Sequence, residues 1–431
     1  MSAFTRGKID LKPLKNTSSN TAQEARLRNH LKKSEKAIAK AGEFAELHSE
    51  FAQNSANGSV ELDKDEHFKY ISQKDILKDA DILTKNKRFT LNNLPGKYNV
   101  RYSPTGKYLM LASNNGHFST IEWQTKQLVQ EFDVHEKVND VCWLHQEQFF
   151  AAAQSKWTRI YENDTGAEIH CVNQFHKIRH LDFLPFHFLL VGAAERHKVH
   201  YLDISTGKPV ATINTDTNTR INCMKQNKAN AIMHLAMQDG TVQLFSPNIP
   251  NNKGPLLKFL ALREPCNSIA ITRCGKYLAA AGVGRKLNIF DLRNSYKPLF
   301  SHSMYPGNTN LEFSDTNILA ASYGNNFVNT FKDMTTKYNP GVYINFKAPD
   351  NVQSLSFCPN EDVLGVGYSR GFDSILVPGS GNARVDSYES NPFRNKKQRD
   401  FWEVARLLDK IPSSMICLDN NELKRVKEMN F

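Results

Sequence analysis

No stretch of the 431 residues stays apolar for the roughly 18 positions that a membrane-spanning helix needs, so no spanning segment is expected. The first residues, MSAFTRGKIDLKPLKN, lack the apolar core of a secretory signal. Cysteine is sparse and solitary, with seven residues at 142, 171, 223, 266, 274, 358 and 417. The count is odd and no C-x-x-C occurs, which argues against a disulfide framework and against a zinc cluster. A reducing compartment fits, and a cytosolic or nuclear protein is expected. Acidic residues are in deficit, 44 against 55 Lys and Arg, for a net charge of +11. That surplus favours acidic partners such as nucleic acid or an anionic membrane surface without choosing between them. What is present is ordinary: 40% hydrophobic and 23% charged residues, enough to bury a large core.

The centre of the chain repeats. Alternating strands begin at Tyr98 (YNVRYSP), Val138 (VNDVCWL), Ile178 (IRHLDFLP), Ile221 (INCMKQN), Asn267 (NSIAITR), Thr309 (TNLEFSD) and Val352 (VQSLSFCP), at intervals of 40, 40, 43, 46, 42 and 43 residues. A small-residue strand follows each, such as FFAAAQ or YLAAAGV, then a polar turn, an aromatic-ended strand such as KVHYLDI or KLNIFDL, and a looser fourth strand. Four strands in about 40–45 residues predict one blade of a β-propeller, and IFDL at 289–292 lies close to a Trp-Asp position. The fold class is therefore all-β: a seven-bladed WD40-type β-propeller with helical and basic extensions. A closed ring of seven removes the exposed strand edges of an open sheet.

One pentapeptide competes with this reading. Gly367-Tyr368-Ser369-Arg370-Gly371 matches the G-x-S-x-G of a hydrolase nucleophile elbow, which needs a helix after the serine. Here the strand FDSILVP follows, in the slot that SNNG (113–116) and MQDG (237–240) fill in other repeats. Ser369 is expected in a tight hairpin served by Gly367 and Gly371, and no catalytic residue is assigned. His135 and His176, before first strands, are expected to hydrogen-bond within their own blade rather than hold metal. Asp203 and Asp291, at strand ends, read as turn-tightening carboxylates. No metal or cofactor is expected.

The extensions carry the charge. Residues 1–83 form a basic, largely helical segment, in which 1–40 hold ten Lys or Arg against three Asp or Glu. A helix of about 30 residues is predicted from Thr21, with an apolar stripe at Leu27, Leu31, Ile38, Phe44, Leu47 and Phe51. Arg26, Arg28, Lys32 and Lys33 on it are candidate RNA or partner contacts. The ring is assigned to 84–385, closed by an outer strand from RFTLNNL. Residues 386–431 form the tail, where the basic patch Arg394, Lys396, Lys397 and Arg399 precedes an amphipathic helix predicted over Phe401–Ile411, and these four with Trp402 on the helix are candidate RNA or partner contacts. Cations beside aromatic rings suit RNA, since phosphate and base faces are met together. Equally, Trp402, Val404, Leu407 and Leu408 suit packing on the ring or on a partner.

The run FCPNEDVLGVGYSRGFDSILVPGSGN followed by ESNPFRNKKQRDFWEVARLLDKIP resembles the carboxy-terminal signature of the BING-four family of WD-repeat proteins. YISQKDIL, FLPFHFLLVGAA and YNVRYSPTGKYLMLASNNGHFSTIEWQTKQL are similar to the same family, so the resemblance covers residues 61–420. It implies a nucleolar, nuclear, non-enzymatic scaffold of the small-subunit processome. That role would support early pre-rRNA processing and ribosome assembly through processome proteins, pre-rRNA and U-three small nucleolar RNA, with no membrane and no small-molecule substrate. The alternative is a general WD40 adaptor in a ubiquitin-ligase or chromatin complex, which explains the ring but not the tail.

Overall fold

A computed structural model describes residues 25–51, 58–60, 71–382 and 391–418, apart from short gaps at 95, 196, 217–218, 250–253, 294, 308, 325 and 338–339. Two compact units are distinguished, Met1–Ala56 and Asn57–Phe431. In the first, helix α1 (Ala25–Phe51) carries Arg26, Arg28, Lys32, Lys33 and Ile38 exposed. Residues 21–24 and the side chains of Leu27, Phe44, Leu47 and Phe51 lie outside the described part of the chain.

The second unit contains seven four-stranded antiparallel sheets, the seven-bladed propeller that the period predicts. Six sheets are simple meanders of consecutive strands, running from Tyr98–Asp133 in the first blade to Leu311–Lys347 in the sixth. The seventh takes three strands from residues 352–376 and its outermost strand, Thr90–Asn92, from ahead of the first blade. That strand lies within RFTLNNL, as expected. The inner strands of successive blades abut in a closed circle, the first beside the seventh.

Composition follows position in the blade. The second strands, such as Phe149–Gln154 and Leu189–Ala194, are buried almost throughout. A neighbouring blade covers each of their faces, so Ala and Gly fit where bulk would clash: a Cβ on Gly192 would lie 2.9 Å from the Phe175 ring. On third strands Phe118, Tyr161, Tyr201, Phe245, Phe290 and Phe372 are essentially buried. Phe118, Phe150 and Tyr161, with centroids 5.6–6.1 Å apart, bridge the first two blades.

Blade is also tied to blade by a recurring asparagine near the start of the inner strand. The amides of Asn139, Asn222 and Asn310 donate to the first carbonyl of the next inner strand, on Ile178 (2.9 Å), Cys266 (3.0 Å) and Val352 (3.4 Å). At Asn139 and Asn222 the ladder bulges, which frees a side chain to reach sideways. Carboxylates and hydroxyls add a second tie: Asp140 accepts from Leu181 N–H (3.0 Å), and Ser354 from Val100 N–H (2.9 Å) across the closing seam.

Ahead of the ring lie α2 (Gln73–Asp79), capped reciprocally by Ser72 and Asp75, and the short α3 (Ile82–Lys85). The tail contributes α4 (Lys396–Leu408). The helix expected over Phe401–Ile411 thus starts five residues earlier and stops three sooner. Asn395 and Gln398 cap its start reciprocally, a signal masked by the run of basic residues around them.

Candidate functional site

The Ser369 motif resolves first. Ser369 and Arg370 form a two-residue hairpin loop between Val363–Tyr368 and Gly371–Leu376, and the Ser369 hydroxyl donates only to Asn351 O at 3.4 Å. The flanking glycines supply room: a Cβ at Gly367 would lie 2.5 Å from Tyr98 O, and one at Gly371 2.2 Å from Leu91 O. His135 sits exposed, 3.5 Å from Asp133. The ring of His176 packs edge-on against Trp157, a ring contact where a hydrogen bond was expected. Asp203 and Asp291 accept from the N–H two residues on, at Ser205 and Arg293 (both 3.0 Å), the tight turns expected of them.

The channel wall is ionic. Arg101 lies 3.6 Å from Asp140, and Lys225 lies 2.6 Å from Glu312. Burial opposes charge on Arg101 and Lys225, yet Asp140 and Asp182 beside the first and Glu312 beside the second outweigh it, so both are held above their ordinary values. Asp182 is pushed up by burial despite Arg101 and Lys225, and burial lowers His180. Sequence reading missed these groups because their charged partners sit in other repeats, Asp140 opposite Arg101 and Glu312 opposite Lys225.

Above this ring, the carboxy ends of all seven inner strands surround a cavity of about 580 Å³. The tail crosses its mouth as a strap over the second, third and fourth blades. Glu403 accepts from His145 Nε2 (3.2 Å) and from Gln146. Ile411 N–H donates to Phe186 O (3.0 Å), and His187 Nδ1 donates to Ile411 O (2.9 Å). Lys410 pairs with Asp203, the turn carboxylate of the third blade, and donates to Ser205 Oγ (2.7 Å). Ser246 and Asn248 hold Ile416 O at 2.9 and 3.0 Å, and the Ile416 side chain, 2% exposed, enters the core of the fourth blade.

The strap splits the tail residues singled out from sequence. Arg394, Arg399 and Trp402 line the cavity together with Arg406. The guanidinium groups of Arg394 and Arg406 lie 4.1 and 3.8 Å from the centre of the Trp402 ring, a close cation–π cluster. Lys396 and Lys397 are exposed on the far side, with Phe401, Val404, Leu407 and Leu408. Trp402 thus faces the channel mouth among tail arginines, while Val404, Leu407 and Leu408 are exposed rather than packed on the ring. Glu403, Arg406, Lys410 and Ile416 escaped sequence reading, since nothing local marks their partners. Among the described residues no cluster of His, Cys, Asp or Glu could hold a metal ion, and no helix is long and apolar enough to cross a membrane.

Residues 342–419, from the outer strand of the sixth blade through the seventh blade's own three strands to the strap, match the BING4CT (NUC141) domain. The chain is 37% identical to U3 small nucleolar RNA-associated protein 7 of Saccharomyces cerevisiae, over 96% of this chain and 76% of that one. It is 40% identical to WD repeat-containing protein 46 of Homo sapiens, over 86% of this chain and 60% of that one. For the Caenorhabditis elegans protein of the same name the figures are 39%, 86% and 63%. The chain therefore spans roughly three fifths of the length of the animal relatives it matches. With its ring closed in the seventh blade and its tail strapped across the channel mouth, the chain belongs to the family of WD repeat-containing protein 46 and U3 small nucleolar RNA-associated protein 7.

Proposed function

We propose that this chain is a non-enzymatic scaffold of the small-subunit processome, working in the nucleolus to support early pre-rRNA processing and ribosome assembly. The observation that carries this reading is the kinship, over nearly the whole chain, with a protein named for association with U3 small nucleolar RNA. The geometry supports a scaffold: a rigid closed ring, and a docked helix whose outer side offers cations and apolar residues together. Lys396 and Lys397 stand beside Phe401, Val404 and Leu408, the last three at the i, i+3, i+7 spacing of one helix face. Pre-rRNA, U3 small nucleolar RNA and neighbouring processome proteins are the partners, contacted through this face and through Arg26, Arg28, Lys32 and Lys33 of α1.

The test is replacement of Lys396 and Lys397 by Glu in cells. Both are exposed, so the ring and the strap stay folded. The variant is expected to reach the nucleus yet enter pre-ribosomal particles poorly on gradients, with unprocessed small-subunit rRNA precursor accumulating. Normal incorporation with flat precursor levels would remove this face from the reading. Copurification of a cullin adaptor or of histones in place of pre-rRNA would replace the scaffold reading with a general adaptor.

A further inference from the structure

The strap lies at the carboxy ends of the inner strands. The opposite rim of the ring, where those strands begin, carries a pattern of its own. The residue directly ahead of the inner strand is Lys97 in the first blade, Lys137 in the second, Lys177 in the third and Arg220 in the fourth. All four are exposed. In the fifth, sixth and seventh blades the same place holds the uncharged Pro265, Asn310 and Asn351. The cations therefore form an arc over four consecutive blades and stop.

One local device sets the arc. The turn after the second strand donates a backbone bond to the residue ahead of the first: Asn114 N–H to Lys97 O (2.9 Å), Glu195 N–H to Lys177 O (3.1 Å) and Gln238 N–H to Arg220 O (2.9 Å). Equivalent backbone thus presents each side chain at the same level, one blade apart. None of the four is in a salt bridge among the described residues, because the carboxylates of the neighbouring loops are taken. Glu136 faces Arg159 (4.0 Å), Glu195 pairs with Arg179, and Asp216 faces Lys258 (3.7 Å). Arg179 holds Glu195 below its ordinary value, and Lys177 and Arg220 add to that pull, so two cations of the arc converge on a carboxylate that already has a partner.

An aromatic ring stands within the arc. Lys156 O accepts from Lys177 N–H (2.9 Å), and the Lys156 ammonium lies 5.3 Å from the centre of the partly exposed Trp157 ring. Like charges fixed side by side on a rigid frame repel one another, and an anion laid across them relieves that cost. A row of cations repeated from blade to blade matches a polymer whose negative charge also repeats. An acidic peptide would meet the cations but bring no base for Trp157 to stack on.

We propose that this arc is a track for single-stranded RNA, with Lys97, Lys137, Lys177 and Arg220 along the phosphate backbone and Trp157 against a base. The choice of RNA rests on the proposed function. The track is separate from Lys396 and Lys397 on the strap, so each can fail without the other.

The test is fluorescence anisotropy of the purified full chain with a short labelled single-stranded RNA over a series of salt concentrations. Replacing all four cations by Gln is expected to make the log–log salt dependence shallower by about 2–3, at about 0.7 per phosphate contact. Lys97→Arg, Lys137→Arg and Lys177→Arg together should keep the wild-type slope. Trp157→Ala should weaken binding about fivefold or more with the slope unchanged. Lys208, Lys228, Lys276 and Lys297, exposed elsewhere on the ring, serve as the control: Gln at these four should leave the slope nearly as it was. Thermal melts at the wild-type temperature show that each variant is folded. An equal loss of slope in the control would overturn the track in favour of generic charge. A slope that ignores the arc variant, or no binding of the RNA at all, would overturn it too. Displacement of the RNA by oligoglutamate of equal charge at equal concentration would replace RNA with an acidic protein segment. In each of these cases the entry of the Lys396 and Lys397 variant into pre-ribosomal particles still decides the processome reading by itself.

Discussion

Two segments from outside the seven repeats are laid onto the ring, and they hold by different physics. The closing strand Thr90–Asn92 enters as backbone: it pairs with Asp373, Phe372 and Gly371 in a regular ladder. Flanking bonds extend it, from Ser374 N–H to Phe89 O and from Leu94 N–H to Arg370 O, both 3.0 Å. Gln73 adds a two-point clasp on the backbone of Leu376, at 2.9 and 3.0 Å. The strap over 391–418 builds no ladder. It holds through single contacts at Glu403, Lys410, Ile411 and Ile416, each to a different loop. The first mode completes a sheet without which the ring is open, so its loss propagates. The second is a row of independent fasteners, so its loss should stay local.

The sharpest break in that comparison is Phe372→Asp. Phe372 is fully buried beside the closing strand, with the Phe89 ring 5.4 Å away. Removing a buried Phe costs about 3–5 kcal/mol before the buried charge is counted, a large share of a domain's total of about 5–15 kcal/mol. Thermal melts should show the whole ring unfolding at ambient temperature; a cooperative melt at the wild-type temperature would mean the seam does not hold the ring. Gln73→Ala comes next, with about 1–3 kcal/mol lost and a lower melting temperature for the entire propeller, because the clasp is buried.

Asn248→Ala tests the fasteners. It removes donations to Ser414 O and Ile416 O at 2.9 and 3.0 Å, worth about 0.5–1.5 kcal/mol each. Limited proteolysis should cut the strap faster while the melting temperature of the ring hardly moves. A ring that melts earlier by as much as Gln73→Ala would erase the distinction between the two modes.

The smallest effect is one of sign. Asp373, on the closing seam, is pushed up to about 6 by burial, against Arg88 and Tyr368. Its folded form holds a proton that the unfolded chain has lost, so closure weakens as pH rises from about 4 through about 6. Under the strap the histidines go the other way. Burial lowers His145 against the pull of Glu403, and burial lowers His187 against its bonds to the carbonyls of Ile411 and Pro412. The docked strap therefore favours neutral rings and loosens as pH falls below the ordinary imidazole value of about 6.5. Burial would raise Asp203, but Lys410 and Ser205 hold it below its ordinary value, so that pair persists through the same window. Hydrogen exchange should show strap amides opening a few-fold faster at low pH, and Asp373→Asn should flatten the opposite trend at the seam. Parallel trends in both segments would refute the assignment.

What the sequence determined by itself was everything that repeats or alternates. The blade period, the small second strands, the aromatic third strands and the closing strand are local patterns whose meaning does not depend on distant residues. Turn readings at Ser369, Asp203 and Asp291 followed for the same reason, since a hairpin or an Asx turn closes within a few residues. Tertiary structure decided the rest. Glu403 finds His145 across 258 residues, and Lys410 finds Asp203 across 207. The basic tail was legible as basic, but which of its residues turn inward was not, because a helix shows several faces and only the surface it meets selects one. Arg399 and Trp402 turned to the channel while Lys396 and Lys397 kept to the outside. The charged ring of Arg101, Asp182, Lys225 and Glu312 exists only after four repeats close around one axis, since each contributes a single unremarkable residue until closure brings them within reach.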